Sequence, residues 1–472
     1  MGNLKKIISN KLPKNAFVRS ISVLVGGTMG AQALTLLAAP LLTRIYSPDD
    51  FGLLAVFTSM LAIALLVGSL RYDIAIPIPE DNIEATNLVV LSFILILFNT
   101  ILIAVSVLFM SKPIADVLGL PVLASYLWLL PLGVLLGGTY GIFSQWSIRM
   151  KCFGVIASTR IWQSFISLVI QFSFFKFGGV GLLLASVAGK SVGAAKLVRP
   201  KFREASWAGI RKAAKRYRRF PIYSTPAGLA RVLGVELPSL LLVATFSPAA
   251  AGLYALTNRV LGVPANLIGG AVSQVFVSSA ADAYRNGSLA PLVKELHAKM
   301  AQIGLPFMFL LIMLGPELFG FVFGEDWRQA GEFACWMAPW LYLVFISSPI
   351  TTVTAVLERQ KQGMFFHFSL LAFRVMALYV GISTGDLTIT IIIFAVVNAI
   401  WRLVFLLWLY VLSGNRISSF VVDSLVASAK ALLCVTPVAI ALILFSEHWI
   451  YAFVVSLILI AGSYWRLIKQ AY

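Results

Sequence analysis

The chain has 472 residues, of which 60% are hydrophobic and 12% charged, with a mean hydropathy of +0.91. Soluble globular domains carry about a quarter charged residues, so that class is excluded. A net charge of +18 and a pI near 9.9 would ordinarily suggest nucleic acid. Here the basic residues flank long apolar stretches, so anionic inner-leaflet lipids are the expected contact and no nucleic acid.

A basic segment (1–20) with Lys5, Lys6, Lys11, Lys14 and Arg19 opens the chain and runs into a full-length apolar span. That first span is expected to act as its own signal anchor, without a cleaved leader. Position six is Lys6, so the Ser or Thr that myristoylation requires is missing. About fourteen spans of roughly twenty apolar residues follow, each long enough to cross a hydrocarbon core of about 30 Å as a helix. They are placed at 21–43, 51–70, 86–110, 122–144, 155–175, 178–197, 222–246, 250–277, 298–323, 333–357, 363–382, 387–412, 424–445 and 449–468. With Lys196, Lys299 and Arg466 at span ends counted among the connections, 26 of the 37 Lys and Arg fall on one side, 4 on the other and 7 inside spans. Such a bias puts the rich side in the cytoplasm, together with both chain ends. The connection 71–84 is net acidic yet is assigned to the cytoplasm, because acids weigh little in this rule. The predicted fold is an all-α polytopic membrane protein.

The long break after the sixth span holds ten Lys/Arg between Lys196 and Arg219 and one acid, Glu204. Its later part, Trp207 to Tyr217, patterns as a basic amphipathic helix lying on the inner leaflet. This linker separates two related halves. With a shift of 200, Leu41-Leu42, Ser47-Pro48, Gly52-Leu53 and Ala55 recur as Leu241-Leu242, Ser247-Pro248, Gly252-Leu253 and Ala255, and Tyr46 is exchanged for Phe246. A weaker echo sets Trp128 and Pro131 against Trp336 and Pro339. Six spans plus six in the same orientation form a parallel repeat, the plan of transporters that rock two bundles about a central cavity. The chain then divides into an N-lobe (21–198), a linker (199–221), a C-lobe (222–412) and two additional helices (424–468).

Seven basic residues lie inside spans: Arg160, Lys190, Arg231, Arg259, Arg374, Arg402 and Lys430. A charge at the bilayer centre costs at least about 2.5–3.5 kcal/mol, so it should face a bundle interior or a watery cavity. Arg160 and Lys430 are near cytoplasmic ends and can snorkel. Lys190, Arg231, Arg259 and Arg374 lie deeper, and only Glu236 offers a carboxylate at that depth. Surplus positive charge suits an anionic ligand, and guanidinium forks match phosphate. Those four are the candidate substrate-binding residues. Glu236 stands two residues before Pro238, beside a kinked stretch. It is either a proton or sodium coupling site or a counter-ion for one of the arginines.

Gly26/Gly30, Gly133/Gly137 and Gly189/Gly193 have the spacing of close helix packing. Ala188-Gly189-Lys190-Ser191 resembles the end of a phosphate-binding loop, but Leu184 occupies the earlier glycine position. Cys152, Cys335 and Cys434 are far apart and His297, His367 and His448 are single, so no disulfide framework, metal cluster or catalytic triad is legible. With no DxD either, the chain reads as a non-enzyme without a cofactor.

The stretch LLTRIYSPDDFGLLAVF, the turn Ser69-Leu70-Arg71-Tyr72-Asp73, Glu84-Ala85-Thr86-Asn87-Leu88 and Leu357-Glu358-Arg359-Gln360 resemble the bacterial polysaccharide transporter family. That family includes O-antigen flippases and belongs to the multidrug/oligosaccharidyl-lipid/polysaccharide exporter superfamily. The resemblance implies two six-helix lobes plus two helices, in the bacterial inner membrane. It also implies movement of undecaprenyl-diphosphate-linked sugar repeat units to the outer leaflet, with a glycan polymerase and glycosyltransferases as possible partners. It supplies no residue-by-residue site. Other readings are a drug or cation exporter on the same fold, which would want more carboxylates at depth, and a membrane-embedded glycan polymerase or ligase, which would want a larger external loop.

Overall fold

The computed structural model describes residues 16–194, 196–197, 202–444 and 449–471; Lys5, Lys6, Lys11, Lys14 and His448 lie outside them. Among the described residues the chain is helical without strands. The helices are α1 (Ala16–Leu42), α2 (Pro48–Gly68), α3 (Asn82–Val117), α4 (Leu129–Arg149), α5 (Phe153–Ser173), α6 (Gly179–Ala194), α7 (Trp207–Arg216) and α8 (Thr225–Thr245). They continue with α9 (Pro248–Pro264), α10 (Gly270–Arg285), α11 (Leu289–Phe323), α12 (Arg328–Ile350), α13 (Gln360–Ser383), α14 (Leu387–Leu412), α15 (Ile417–Leu444) and α16 (Trp449–Ala471).

Each expected span overlaps a described helix, although 122–144 is broken by a turn at 125–128 and 333–357 by one at 351–352. Ten of the described helical segments are long and apolar enough to cross a membrane, and two more, Gly179–Gly193 and Trp449–Trp465, are shorter apolar helices. This is a multi-pass membrane protein. The expected span 250–277 is interrupted: after Pro264 the chain makes a π-helical turn, Ala265–Gly269, before α10. Large apolar side chains on α3 (Phe98, Leu108, Phe109) and α15 (Leu433, Ile443) point outward, as lipid-facing positions should.

The chain divides into two compact units, Met1–Gly252 and Leu253–Tyr472. In the first, α1 packs on α5, α5 on α6, α6 on α4, α4 on α3, and α8 on α2. The motif Ser47-Pro48-Asp49-Asp50 starts α2 with a capping box. Asp50 N–H donates to Ser47 Oγ at 3.2 Å, and Ser47 N–H donates to Asp50 Oδ2 at 3.0 Å. Asp50 Oδ1 also accepts the Gly179 N–H at 2.5 Å, tying the start of α2 to that of α6. The two copies of the repeated motif meet within this unit: a Cβ on Gly52 would overlap the Pro248 carbonyl, and one on Gly252 the Pro48 carbonyl. Tyr46 donates to the Gln171 carbonyl at 2.7 Å, a bond that Phe246 cannot make.

Gly133 and Gly137 accommodate Leu61 and Leu65 of α2, as their spacing predicts. Gly26 has no neighbour within 4 Å; the close contact on α1 is instead Gly27 against Ala157.

The linker helix α7 is docked on protein. Ile210, Ala213 and Tyr217 are buried, and the last two join a core cluster with Leu88, Val89 and Trp146. Asn87 Oδ1 accepts the Ser206 N–H at 3.0 Å, and Gly209 lies so close that its Cβ would come 2.5 Å from Asn87 Nδ2. Arg216 grips both oxygens of Glu84 at 2.8 Å, and Tyr72 donates to the Ala214 carbonyl at 3.0 Å. The apolar face that was expected to lie on lipid is therefore spent on α3, leaving Trp207, Arg211, Lys212 and Lys215 exposed. These contacts also account for the acidic connection before α3. Glu84 is matched by Arg216, and Arg149 binds the Pro79 and Glu80 carbonyls and Asn82.

In the second unit α11 packs against α12 and α15, α14 against α12 and α13, and α16 against α15. Its core includes Phe276, Met300, Ile346, Phe405 and Tyr410.

Candidate functional site

Glu236 and Ser59 sit near the midpoints of α8 and α2, two 21-residue helices packed on each other. Ser59, 1% exposed, donates its hydroxyl to Glu236 Oε2 at 2.8 Å. No described basic group lies within ion-pair distance of this carboxylate. Glu236 thus forms no ion pair with Arg231, and its hydrogen-bond partner among the described side chains is the Ser59 hydroxyl.

Arg231 lies five residues earlier on α8, about 7.5 Å along the axis at 1.5 Å per residue. It is exposed, and no described side chain bonds or pairs with it. Gly228, one turn earlier, contacts Leu66 of α2, so Arg231 stands level with the last two turns of that helix. Lys190 belongs to the same depth range. Its Cδ lies against Gly137, where a Cβ would be 3.2 Å away, beside Leu65 of α2. Lys190 also has no described ion-pair partner. The first unit thus places two deep cations toward one end of α2, without carboxylates to neutralise them.

Sequence reasoning placed Arg71 in the family-resembling turn without a site role, and the structure adds to its character. The turn after α2 reverses through two successive left-handed residues, Leu70 (φ 48°) and Arg71 (φ 64°). For non-glycine residues this conformation costs of order 1–3 kcal/mol each and clusters at functional sites. Ser69 donates to Asp73 at 2.6 Å and braces the turn. Arg71 Nε is buried without a hydrogen-bond partner. Burial lowers the Arg71 pKa from its ordinary value, the nearby Asp73 opposes that, and the positive charge of Arg231 lowers it further. Burial is the largest of these influences, and the attraction of Asp73 outweighs the repulsion from Arg231.

In the second unit Arg374 on α13 is held. Its Nε donates to Asn398 Oδ1 at 2.6 Å and its guanidinium lies 5.5 Å from the Trp340 ring centroid. Asn398 is 1% exposed and anchored by its own amide to the Phe394 carbonyl at 2.7 Å. Arg402 follows Asn398 by one helical turn, its guanidinium over Phe405 at 5.6 Å and its Nε buried without a partner. The sequence carried this signal in the spacing of Asn398 and Arg402, four residues apart on one helix face. Arg259 on α9 is exposed, without a partner among the described side chains. Of the other span cations, Arg160 is satisfied by Thr28 Oγ1 at 2.6 Å, and Lys430 is exposed. Among the described residues no group of three or more His, Cys, Asp or Glu could hold a metal ion.

The polysaccharide biosynthesis protein family matches residues 41–332, more than half the chain. The chain belongs to that family. No curated protein matches it. Among solved structures, this family member is similar to the lipid II flippase MurJ in an inward closed conformation, with a TM-score of 0.74 and 13% identity over 95% of this chain and 99% of that one. It is also similar to a multidrug resistance MATE family transporter of the MOP superfamily. The inward-facing conformation gives a TM-score of 0.61 at 16% identity over 83% and 94% of the two chains. The outward-facing one gives 0.53 at 15% over 84% and 95%. At such identities the likeness is one of fold, and it covers 83% to 95% of this chain.

Proposed function

We propose that this family member is a flippase that carries an undecaprenyl-diphosphate-linked oligosaccharide from the inner to the outer leaflet of the bacterial inner membrane by alternating access. The cargo is an O-antigen, capsule or exopolysaccharide repeat unit. The carrying observation is the set of span cations, Lys190, Arg231 and Arg259, that no described carboxylate neutralises. A charge within a membrane span is tolerated where a ligand or water completes it. A diphosphate head group has the charge and oxygen geometry that guanidinium and ammonium donors recognise. Membership of a polysaccharide biosynthesis family and the fold shared with a lipid II flippase support the same cargo class.

In this reading the polyprenyl tail stays in hydrocarbon, the diphosphate pairs with the cations, and the sugars follow through water. Arg374, already engaged by Asn398 and Trp340, serves with Arg402 as a second positive group in the other unit. Glu236 with Ser59 is the proposed proton or sodium site that drives the cycle. Both chain ends face the cytoplasm, where a polymerase and glycosyltransferases would be functional partners. Cationic cargo is disfavoured, since Glu236 is the lone mid-depth acid against several cations.

The test is glycan export in cells whose own copy is replaced by Lys190→Ala, Arg231→Ala or Arg259→Ala, each checked for normal insertion. Export should fall in each, and Lys190→Arg and Arg231→Lys should retain part of it. Full export by all three alanine variants would overturn the reading.

A further inference from the structure

The linker helix α7 has two polar flanks, and they meet different surroundings. Its apolar face, Ile210, Ala213 and Tyr217, is covered by protein and closed to lipid. On one flank Arg216 grips Glu84 at 2.8 Å. On the other, Trp207, Arg211 and Lys215 follow at i, i+4 and i+8, one above the other on a single stripe. Arg218, in the turn that follows, extends the run of charge. All four side chains are exposed, Trp207 to 76%. No described carboxylate pairs with Arg211, Lys215 or Arg218. Three cations and an aromatic ring are thus held outward by a helix that Asn87, Tyr72 and Glu84 pin in place.

Depth decides what this stripe faces. Asn87, which accepts the Ser206 N–H at the start of α7, stands six residues before Phe93 on α3. Phe93, Ile94, Leu97 and Phe98 turn outward, as at lipid. Six residues of helix span about 9 Å at 1.5 Å per residue. The head-group layer on each side of the hydrocarbon is about 5–7 Å thick. The helix therefore lies at the outer edge of the head groups, where long Lys and Arg side chains reach in and a Trp ring is at home.

We propose that Trp207, Arg211, Lys215 and Arg218 form a site for the head group of an anionic phospholipid of the inner leaflet. The three cations supply the charge complementarity, and the ring anchors the stripe at the interface. A zwitterionic head group brings its own cation and gains little there. An acidic protein segment matches the charge but has no use for the exposed ring at this depth. Unlike a free amphipathic helix, α7 makes this contact with a preformed polar stripe while its apolar face stays on α3. The site goes beyond the flippase reading and is independent of the cargo.

The experiment is native mass spectrometry of the full-length protein in detergent. It is titrated with phosphatidylglycerol and, in parallel, with phosphatidylcholine, and the affinity of the tightest retained lipid is read. Arg211→Gln, Lys215→Gln and Arg218→Gln should each weaken phosphatidylglycerol about fivefold, which corresponds to about 1 kcal/mol per cation near the membrane surface. The triple variant should lose about a hundredfold, with phosphatidylcholine unchanged throughout. Trp207→Ala should weaken both lipids alike. Lys361→Gln, which removes an exposed cation at the start of α13, should bind phosphatidylglycerol as wild type does. The charge-preserving triple variant, Arg211→Lys with Lys215→Arg and Arg218→Lys, should stay within twofold of wild type.

Wild-type phosphatidylglycerol affinity in the glutamine triple variant overturns the site. So does an equal loss of phosphatidylcholine in that variant, or lost phosphatidylglycerol binding in the charge-preserving one. A hexaglutamate peptide that binds the wild-type protein more tightly than phosphatidylglycerol, and is lost in the glutamine triple variant, overturns it in favour of a protein partner. The readout is retained lipid and not export, so failure here leaves the flippase reading to its own test.

Discussion

Replacing Asn87 with Ala should release the linker helix α7 from α3. The Asn87 amide is 3% exposed; it accepts the Ser206 N–H at 3.0 Å and donates to the Ile83 carbonyl at 2.9 Å. The Ile83 carbonyl also serves the helical ladder, so its loss matters little. Ser206 N–H, at the cap of α7, would be left without its partner, which costs about 1–3 kcal/mol. The Arg216–Glu84 pair, whose arginine is 60% exposed, is worth only about 0–1 kcal/mol. Taking about 2 kcal/mol, and about 1.4 kcal/mol per decade, local opening of residues 206–217 becomes roughly thirtyfold more frequent. Hydrogen exchange of that segment in nanodiscs reads this number directly. Glu84→Gln should change exchange only a few-fold. An unchanged rate in Asn87→Ala, or a rate set by anionic lipid content and not by position 87, would refute the docking argument.

Three further predictions address packing, satisfaction and coupling. Gly52→Ala and Gly252→Ala each put a methyl onto a facing proline carbonyl and should destabilise by about 1–3 kcal/mol, lowering the yield of monodisperse protein. Gly26→Ala, with nothing within 4 Å, should leave that yield unchanged. Asn398→Ala removes the acceptor of Arg374 and should cost about 1.5–3 kcal/mol, seen as an earlier unfolding midpoint in detergent. Glu236→Gln should abolish the dependence of transport on the driving ion while the protein still folds, because Gln keeps an acceptor for Ser59. Ser59→Ala should weaken ion affinity without abolishing it.

The spans were legible because each is a run of apolar residues, but their ends were not. The expected span 86–110 is the middle of a helix that continues from Asn82 to Val117, since Asp81 caps it and polar residues such as Lys112 extend it beyond the hydrocarbon. Hydropathy also passed through Pro264, where the chain makes a π turn. The amphipathic pattern of α7 was legible, whereas the surface that covers it was not. Periodicity is the same for a helix on lipid and one on α3, and what decides is Gly209 against Asn87, 122 residues away in sequence. The depth of Lys190, Arg231 and Glu236 followed from counting residues. Their partners did not, because Ser59 lies 177 positions from Glu236 and marks no pattern. Arg374 looked unpaired only because a polar amide such as Asn398 carries no charge to count. Arg71 was passed over because it lies outside a span, and its left-handed backbone has no signature in a non-glycine residue.

The central claim is that uncompensated intramembrane cations carry a diphosphate. The most direct measurement is the flipping of a fluorescent undecaprenyl-diphosphate saccharide in proteoliposomes, beside the same saccharide on an uncharged polyprenyl lipid. The account predicts translocation of the diphosphate lipid alone, and its loss when Lys190, Arg231 and Arg259 are replaced together by glutamine. Equal translocation of the uncharged lipid, or of the diphosphate lipid by the triple variant, would contradict it.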